Sequence, residues 1–157
     1  MYGLQKEKTS SFIGYSRSKN FNAEEFKKNI AVVIDTLYNK GYRNFMVSPF
    51  SLVEDIAIEE LLKKKRILPD IKLVLLKNDS AGNNRLRLYG SCDELIEIDV
   101  HASAVRGDMQ NDNYDYLIDN TSLLVCYIDC KPKKRSFALE KAIARNMEII
   151  NVFSHVL

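Results

Sequence analysis

The sequence has few of the segments by which several classes of protein are recognised. It contains no run of about 18 consecutive apolar residues, as a membrane-spanning helix requires, and residues 1–10 lack the apolar core of a secretory signal. Its three cysteines, Cys92, Cys126 and Cys130, are too few for a disulfide framework and have no paired C-x-x-C spacing. We therefore expect a cytoplasmic protein without a membrane partner.

Charge and histidine content argue against two further classes. The net charge of +2 is too small to imply a general polyanion partner. Neither His101 nor His155 has a second histidine or a cysteine at metal-ligand spacing. We expect neither a metal nor another cofactor, and we expect that nucleic acid is not the main partner.

Short apolar runs alternate with amphipathic segments along most of the chain, as in β-α-β units. This pattern predicts a three-layer Rossmann-like α/β fold, with a mostly parallel sheet of about six strands flanked by helices. Residues 1–10 are interpreted as a flexible N-terminal tail and residues 11–157 as one domain. The predicted strands are residues 11–15, 44–47, 71–76, 95–100, 122–128 and 148–153, and the predicted helices are residues 23–40, 51–66, 84–90, 111–120 and 136–145.

Right-handed crossovers would bring the loops after parallel strands to one edge of the sheet, where ligands usually bind. Four segments are expected to meet there: residues 14–18, residues 48–55, the segment before Asn113, and residues 129–136. The second of these contains Ser51 and Glu54 in the S-x-x-E form of a helix capping box.

Short motifs lie in these segments or next to them. Gly14 stands in a turn-forming stretch after the first predicted strand, and Asp55 and Glu60 lie in the helix that follows the second. Tyr116 and Asp119 lie in the helix that precedes the most apolar strand of the last third. In order and spacing, residues 12–153 resemble the YpsA-like branch of the SLOG superfamily, the Rossmann-like group that includes the lonely-guy phosphoribohydrolases and DprA.

The resemblance is partial at each motif. The T-G-H-R-type turn of the branch keeps only Gly14, and its F-D-x-x-A-A-E helix keeps Asp55 and Glu60. In its R-N-x-[WY]-M-V-D helix, Asn113 stands in the place of the arginine. Its G-G-T loop falls on Lys133, Lys134 and Arg135, so the glycines are absent. If the loop binds phosphate as the resemblance implies, these three side chains would bind it by their charge. The ligand-binding candidates are Gly14, Tyr15, Ser16, Arg17, Ser48, Ser51, Asn113, Tyr116, Lys133, Lys134, Arg135 and Ser136.

Three carboxylates are the catalytic candidates if the chain is an enzyme: Asp55, Glu60 and Asp119. Asp55 and Glu60 are five residues apart, about 140° around a helix, so they do not face one point. Asp55 at a helix start also favours the helix dipole without any ligand. The alternative interpretation of Asp119 is a helix cap or turn residue, and that of Tyr116 is an aromatic residue of the core.

Two basic runs have competing interpretations. Residues 131–135 are either a phosphate or nucleic-acid contact or a solvated loop. Residues 63–66, at a predicted helix C-terminus, are explained by the helix dipole and solvent exposure.

The first functional hypothesis is a binding domain for a nucleotide-derived or other phosphorylated small ligand, non-catalytic or weakly catalytic. The second is an N-glycosidic-bond hydrolase or transferase that acts on a nucleotide or nucleoside, which is the chemistry of some relatives. The third is an accessory protein in nucleic-acid processing. The resemblance also leaves homodimerisation open, because relatives often pair.

Overall fold

The computed structural model describes residues 4–15, 21–77, 86–98, 108–128 and 137–152. Six strands and five helices alternate in these ranges, after a short 3-10 turn at Lys6–Lys8. The strands are β1 (Thr9–Tyr15), β2 (Asn44–Val47), β3 (Lys72–Leu76), β4 (Glu94–Ile96), β5 (Leu123–Ile128) and β6 (Glu148–Asn151). The helices are α1 (Ala23–Asn39), α2 (Leu52–Ile67), α3 (Leu86–Tyr89), α4 (Asp108–Asp119) and α5 (Phe137–Ala144).

The strands form one sheet in the order β4-β3-β2-β1-β5-β6, and every neighbouring pair is parallel. The chain builds outwards from β1 to β4 and then returns to the other side of β1 with β5 and β6. The expected α/β fold is therefore confirmed, with a sheet that is parallel throughout.

Two apolar cores lie on opposite faces of this sheet. On one face, α1, α2 and α3 bury residues such as Phe26, Ile58 and Leu88 against alternate strand positions. On the other face, α4 and α5 bury residues such as Leu117 and Ala142 against the remaining positions. Because both faces of the sheet are covered, β3 and β5 are apolar at nearly every position. The result is the three-layer arrangement of a doubly wound fold.

Local signals set the bounds of α1. The side chain of Asn22 accepts a hydrogen bond from the backbone N–H of Glu25 at 3.1 Å, which caps the N-terminus. The chain leaves the helix at Gly41, whose φ of +103° is a conformation that residues with a Cβ rarely adopt.

The first strand begins earlier than the sequence predicted. Thr9 and Ser10, assigned to the flexible tail, pair with β2 in the sheet and are 0% and 2% exposed. Their polarity hid them, but Thr9 is hydrogen-bonded on both sides: its hydroxyl donates to Gln5 O at 2.7 Å and accepts from Asn44 Nδ2 at 3.2 Å. A polar side chain with such partners is tolerated in a core. The tail assignment was therefore wrong for Thr9 and Ser10.

The edge strands are shorter than expected. β4 ends at Ile96 and β6 at Asn151, whereas the sequence predicted strands to residues 100 and 153. At β4, Glu97 and Ile98 lie outside any strand, and residues 99 and 100, like residue 153, lie outside the described ranges.

Gly14 allows β1 and α2 to approach closely. A Cβ atom placed on Gly14 would lie 2.5 Å from Val53 Cγ1 and 2.8 Å from Val53 Cβ. Both distances are far below van der Waals contact, and Val53 is 3% exposed in the core. The start of α2 can rest on the end of β1 only because residue 14 has no side chain.

Gly14→Ala is expected to lower the free energy of unfolding by about 1–3 kcal/mol, the usual cost of overpacking a core. Urea unfolding measures it. In a Val53→Ala background the cost should fall, because the nearer of the two clashing atoms is gone. A cost that is unchanged in that background would contradict the close contact as its cause.

Candidate functional site

The strand order reverses between β1 and β5, which are neighbours in the sheet although three strands separate them in the chain. In doubly wound folds a crevice forms at this point, outside the carboxyl ends of the strands, and ligands bind in it. The chain continues from β1 into residues 16–20 and from β5 into residues 129–136, both outside the described ranges. The described part of this edge comprises the ends of β1, β2 and β3 with the starts of α2 and α4.

The start of α2 is closed by the chain's own side chains. Ser51 caps the helix by accepting a hydrogen bond from Glu54 N at 3.3 Å, and its hydroxyl donates to Gly14 O at 2.8 Å. Glu54 turns back along the helix, and its Oε1 accepts from Phe50 N at 3.0 Å. In the usual capping box the acid bonds to the N-cap residue itself, so here it reaches one residue further. An acid of the protein thus occupies a helix N-terminus that could otherwise attract an anion.

Glu54 also connects the two helical layers. Its Oε2 accepts a hydrogen bond from the hydroxyl of Tyr114, in α4 on the opposite face of the sheet, at 3.0 Å. The ring of Tyr114 packs edge-on against Phe50, with ring centroids 5.6 Å apart. The glutamate side chain is 0% exposed.

Burial controls the protonation of Glu54. Removal from water raises the pKa of its carboxyl group to about 8, although hydrogen bonds from Tyr114, Phe50, Ser51 and Gly14 act in the opposite direction. The group is therefore mostly neutral at pH 7. A neutral carboxyl group and a tyrosine hydroxyl can each donate to the other, so the contact with Tyr114 survives protonation.

A second polar contact ties α4 to the ends of β2 and β3. The side-chain amide of Asn113 donates to Ser48 Oγ at 2.9 Å and to the backbone oxygen of Lys77 at 3.2 Å. Asn113 is 1% exposed and Ser48 0%. Ser48 follows β2 and Lys77 follows β3, so this amide holds two strand ends and one helix in register.

Four of the predicted ligand-binding residues therefore lie together at this edge: Gly14, Ser48, Ser51 and Asn113. Tyr15 is the last residue of β1, next to Gly14. Six further candidates, Ser16, Arg17, Lys133, Lys134, Arg135 and Ser136, lie outside the described residues.

The other predicted residues are dispersed. Asp55 lies in the first turn of α2, whereas Glu60 lies in the middle of the helix, 7% exposed, with an ion pair from its Oε1 to Lys63 Nζ at 3.0 Å. Tyr116 lies beyond Tyr114 along α4, where burial and the charge of Glu94 raise the pKa of its hydroxyl.

Asp119 ends α4 at the opposite edge of the sheet, because the helix runs from the carboxyl edge to the amino edge. It forms ion pairs with Lys141 of α5 and with Arg145, which directly follows that helix. Burial acts to raise the pKa of Asp119, but the two cations outweigh it and lower the value. The structure does not bring the three catalytic candidates into one group.

The basic run at residues 63–66 is largely neutralised. Lys63 pairs with Glu60, Lys64 with Asp35 and Lys65 with Asp93. These partners leave little net charge on this helix end to attract a polyanion.

No cluster of three or more histidine, cysteine or acidic residues that could hold a metal occurs among the described residues. Burial raises the pKa of the Cys126 thiol to about 12, so it is not a nucleophile at neutral pH. None of the described helices has both the length and the apolar character needed to cross a bilayer.

A groove of about 500 Å³ lies away from these contacts, between α1 and the edge strand β6. Val32, Val33 and Ile150 contribute apolar walls to it. Lys40 and Glu148 also line the groove and form an ion pair at 3.9 Å.

Sequence reasoning missed the two residues at the centre of the site. Glu54 was interpreted as a capping residue alone, and Tyr114 was given no role. The S-x-x-E pattern located Glu54 correctly, but nothing in the sequence indicates that a residue sixty positions later covers it.

No protein-family model matches the sequence, and no curated protein is significantly similar to it. The function must therefore be inferred from the geometry and chemistry of this edge.

Asn113→Ala is expected to lower the free energy of unfolding by about 2–3 kcal/mol, because Ser48 and the Lys77 carbonyl would lose a buried partner. Urea unfolding of Asn113→Ala, Ser48→Ala and the double variant forms a double-mutant cycle. Strictly additive losses would contradict the contact between the two side chains.

Glu54→Gln is expected to change how stability depends on pH. In the wild type the native state keeps a proton that the unfolded state releases, since the pKa rises from 4.5 to about 8 on folding. The resulting stability is complete below pH 4.5 and is lost as the pH rises towards about 8, by up to about 1.4 kcal/mol per pH unit. Glutamine keeps the shape and does not titrate, so urea unfolding between pH 5 and 8 should show a flatter profile. Parallel profiles would contradict a neutral buried Glu54, because all other titrating groups are common to both proteins.

Proposed function

We propose that this chain is a binding domain for a nucleotide-derived or other phosphorylated small ligand, which binds at the carboxyl edge between β1 and β5. The observation that carries the proposal is the reversal of strand order at β1 and β5. Gly14, Ser48, Ser51 and Asn113, predicted from the sequence as ligand contacts, lie at this same edge.

A non-catalytic or weakly catalytic role is supported by the positions of the carboxylates. Cleavage of an N-glycosidic bond needs an acid or carboxylate at the reacting carbon. Glu60 is paired with Lys63 in the middle of α2, and Asp119 is paired with two cations at the opposite edge. Of the three candidates, only Asp55 lies near the ligand edge, and the carboxyl group of Glu54 beside it is buried and bonded to Phe50 and Tyr114. We therefore favour binding over hydrolysis or transfer.

The source of phosphate affinity is proposed to be side-chain charge. The N-terminus of α2 already holds the carboxyl group of Glu54, so it offers little room for a ligand anion. Lys133, Lys134 and Arg135 belong to the segment that joins β5 to α5. Arginine and lysine bind phosphate by charge and hydrogen bonds without a glycine-rich backbone cradle.

The test is a thermal-shift screen against AMP, ADP-ribose, adenosine and related compounds, followed by calorimetry. A ligand that binds only the folded protein stabilises it by about 2.7 kcal/mol at one hundred times its Kd, so the melting temperature should rise by several degrees. Lys134→Ala/Arg135→Ala is expected to weaken binding of phosphorylated compounds at least tenfold and to leave adenosine unaffected.

Lys28→Ala/Arg66→Ala is the matched control. It removes the same charge at two exposed positions on α1 and α2 and should leave binding unchanged. No shift with any compound would contradict the proposed function. An equal loss in both double variants would show that general charge, and not this segment, causes the binding.

A further inference from the structure

We propose that Glu54 is a positioning residue of the ligand edge, and that it holds α2 and α4 together there only while its carboxyl group is neutral. The effect on ligand binding rests on the proposed function, since the edge that Glu54 organises is the one assigned to the ligand. The effect on the contact between α2 and α4 depends only on contacts of Glu54 within the protein.

The first observation is the number of segments that meet at one side chain. Glu54 accepts hydrogen bonds from Phe50, in the connection from β2 to α2, and from Tyr114 of α4. Through Ser51, which bonds both Glu54 N and Gly14 O, the same turn is fixed to the end of β1. The end of β1, the start of α2 and the middle of α4 are therefore joined around a single carboxyl group.

The second observation is that the described partners of this carboxyl group are uncharged. Tyr114 faces it from α4, Phe50 N–H and Ser51 from the preceding turn, and Gly14 from β1. The nearest charged residue along α2 is Asp55, which is also an acid. Among the described residues that act on Glu54, none is a cation.

The third observation is that water does not reach the group. Glu54 is 0% exposed and Tyr114 6%, and the rings of Phe50 and Tyr114 pack against each other beside it. An ionised carboxyl group in such a place has no solvent and no counter-ion among the described residues, which is strongly unfavourable. The protein relieves this cost if the contact between α2 and α4 opens and hydrates Glu54.

Ionisation of Glu54 thus favours a state in which the start of α2 separates from α4, and the positions of Ser48 and Asn113 change with them. A ligand site on this edge would be preorganised at low pH and loosened as the pH rises. The direction agrees with the raised pKa of the group.

Hydrogen exchange followed by mass spectrometry on the ligand-free full chain tests this directly. Protection of residues 48–58 and 112–118, corrected for intrinsic exchange rates, is expected to fall up to about 100-fold between pH 5.5 and 7.5, a tenfold change per pH unit. Protection of β5, residues 123–128, should be higher than that of the first two segments at every pH, because the opening is local and β5 exchanges only on global unfolding. In Glu54→Gln, the first two segments should stay protected across this range.

Two further variants keep the test decisive. Glu59→Gln removes a half-exposed carboxyl group from the same helix, paired with Arg87, and should behave as the wild type. Tyr114→Phe keeps the ring and removes the hydroxyl, and should lower protection of residues 112–118 at pH 5.5 about five- to tenfold, the usual effect of one lost hydrogen bond.

Protection that is independent of pH in the wild type would overturn the proposal. So would an equal fall in Glu54→Gln, or equal protection of all three segments at each pH, which would mean that Glu54 affects only global stability. These outcomes differ from failure of the ligand screen, because the exchange experiment contains no ligand.

Discussion

The carboxyl group of Glu54 lies where two helical layers meet that a parallel sheet otherwise keeps apart. α2 covers one face and α4 the other, so their side chains can touch only beyond the ends of the strands. The missing side chain of Gly14 brings the start of α2 close enough to β1, and Tyr114 completes the contact from the other side. Because this contact excludes water and contains no described cation, packing determines the charge of the acid.

The hydrogen bonds at the start of α2 differ from those of a glycine-rich phosphate-binding loop. Glycine-rich loops bind phosphate through backbone N–H groups that nothing else occupies. Here the backbone N–H of Phe50 bonds to Glu54, and that of Glu54 bonds to Ser51. Two N–H groups at this helix start are therefore bonded to side chains of the protein itself, which stabilises the turn.

Two other candidate acids, Glu60 and Asp119, form ion pairs within the protein. Glu60 is held by Lys63, and Asp119 joins α4 to α5 through Lys141 and also pairs with Arg145, which follows α5. The lysines of residues 63–65 are likewise occupied by Glu60, Asp35 and Asp93. With these ion pairs, the described residues present a polar, hydrogen-bonded edge that does not gather Asp55, Glu60 and Asp119 in one place.

The sequence by itself determined the elements and their order, because apolar periodicity and caps such as Asn22 and Ser51 are local signals that each segment carries alone. It misjudged Thr9 and Ser10, whose polar side chains are buried only because Gln5 and Asn44 supply partners. It also anticipated that Gly14, Ser48, Ser51 and Asn113 share an edge, since parallel crossovers dictate that. Only the tertiary structure decided the state of Glu54 and the separation of Asp55, Glu60 and Asp119: burial and distance depend on how two distant helices cross the end of the sheet, and no local pattern encodes that.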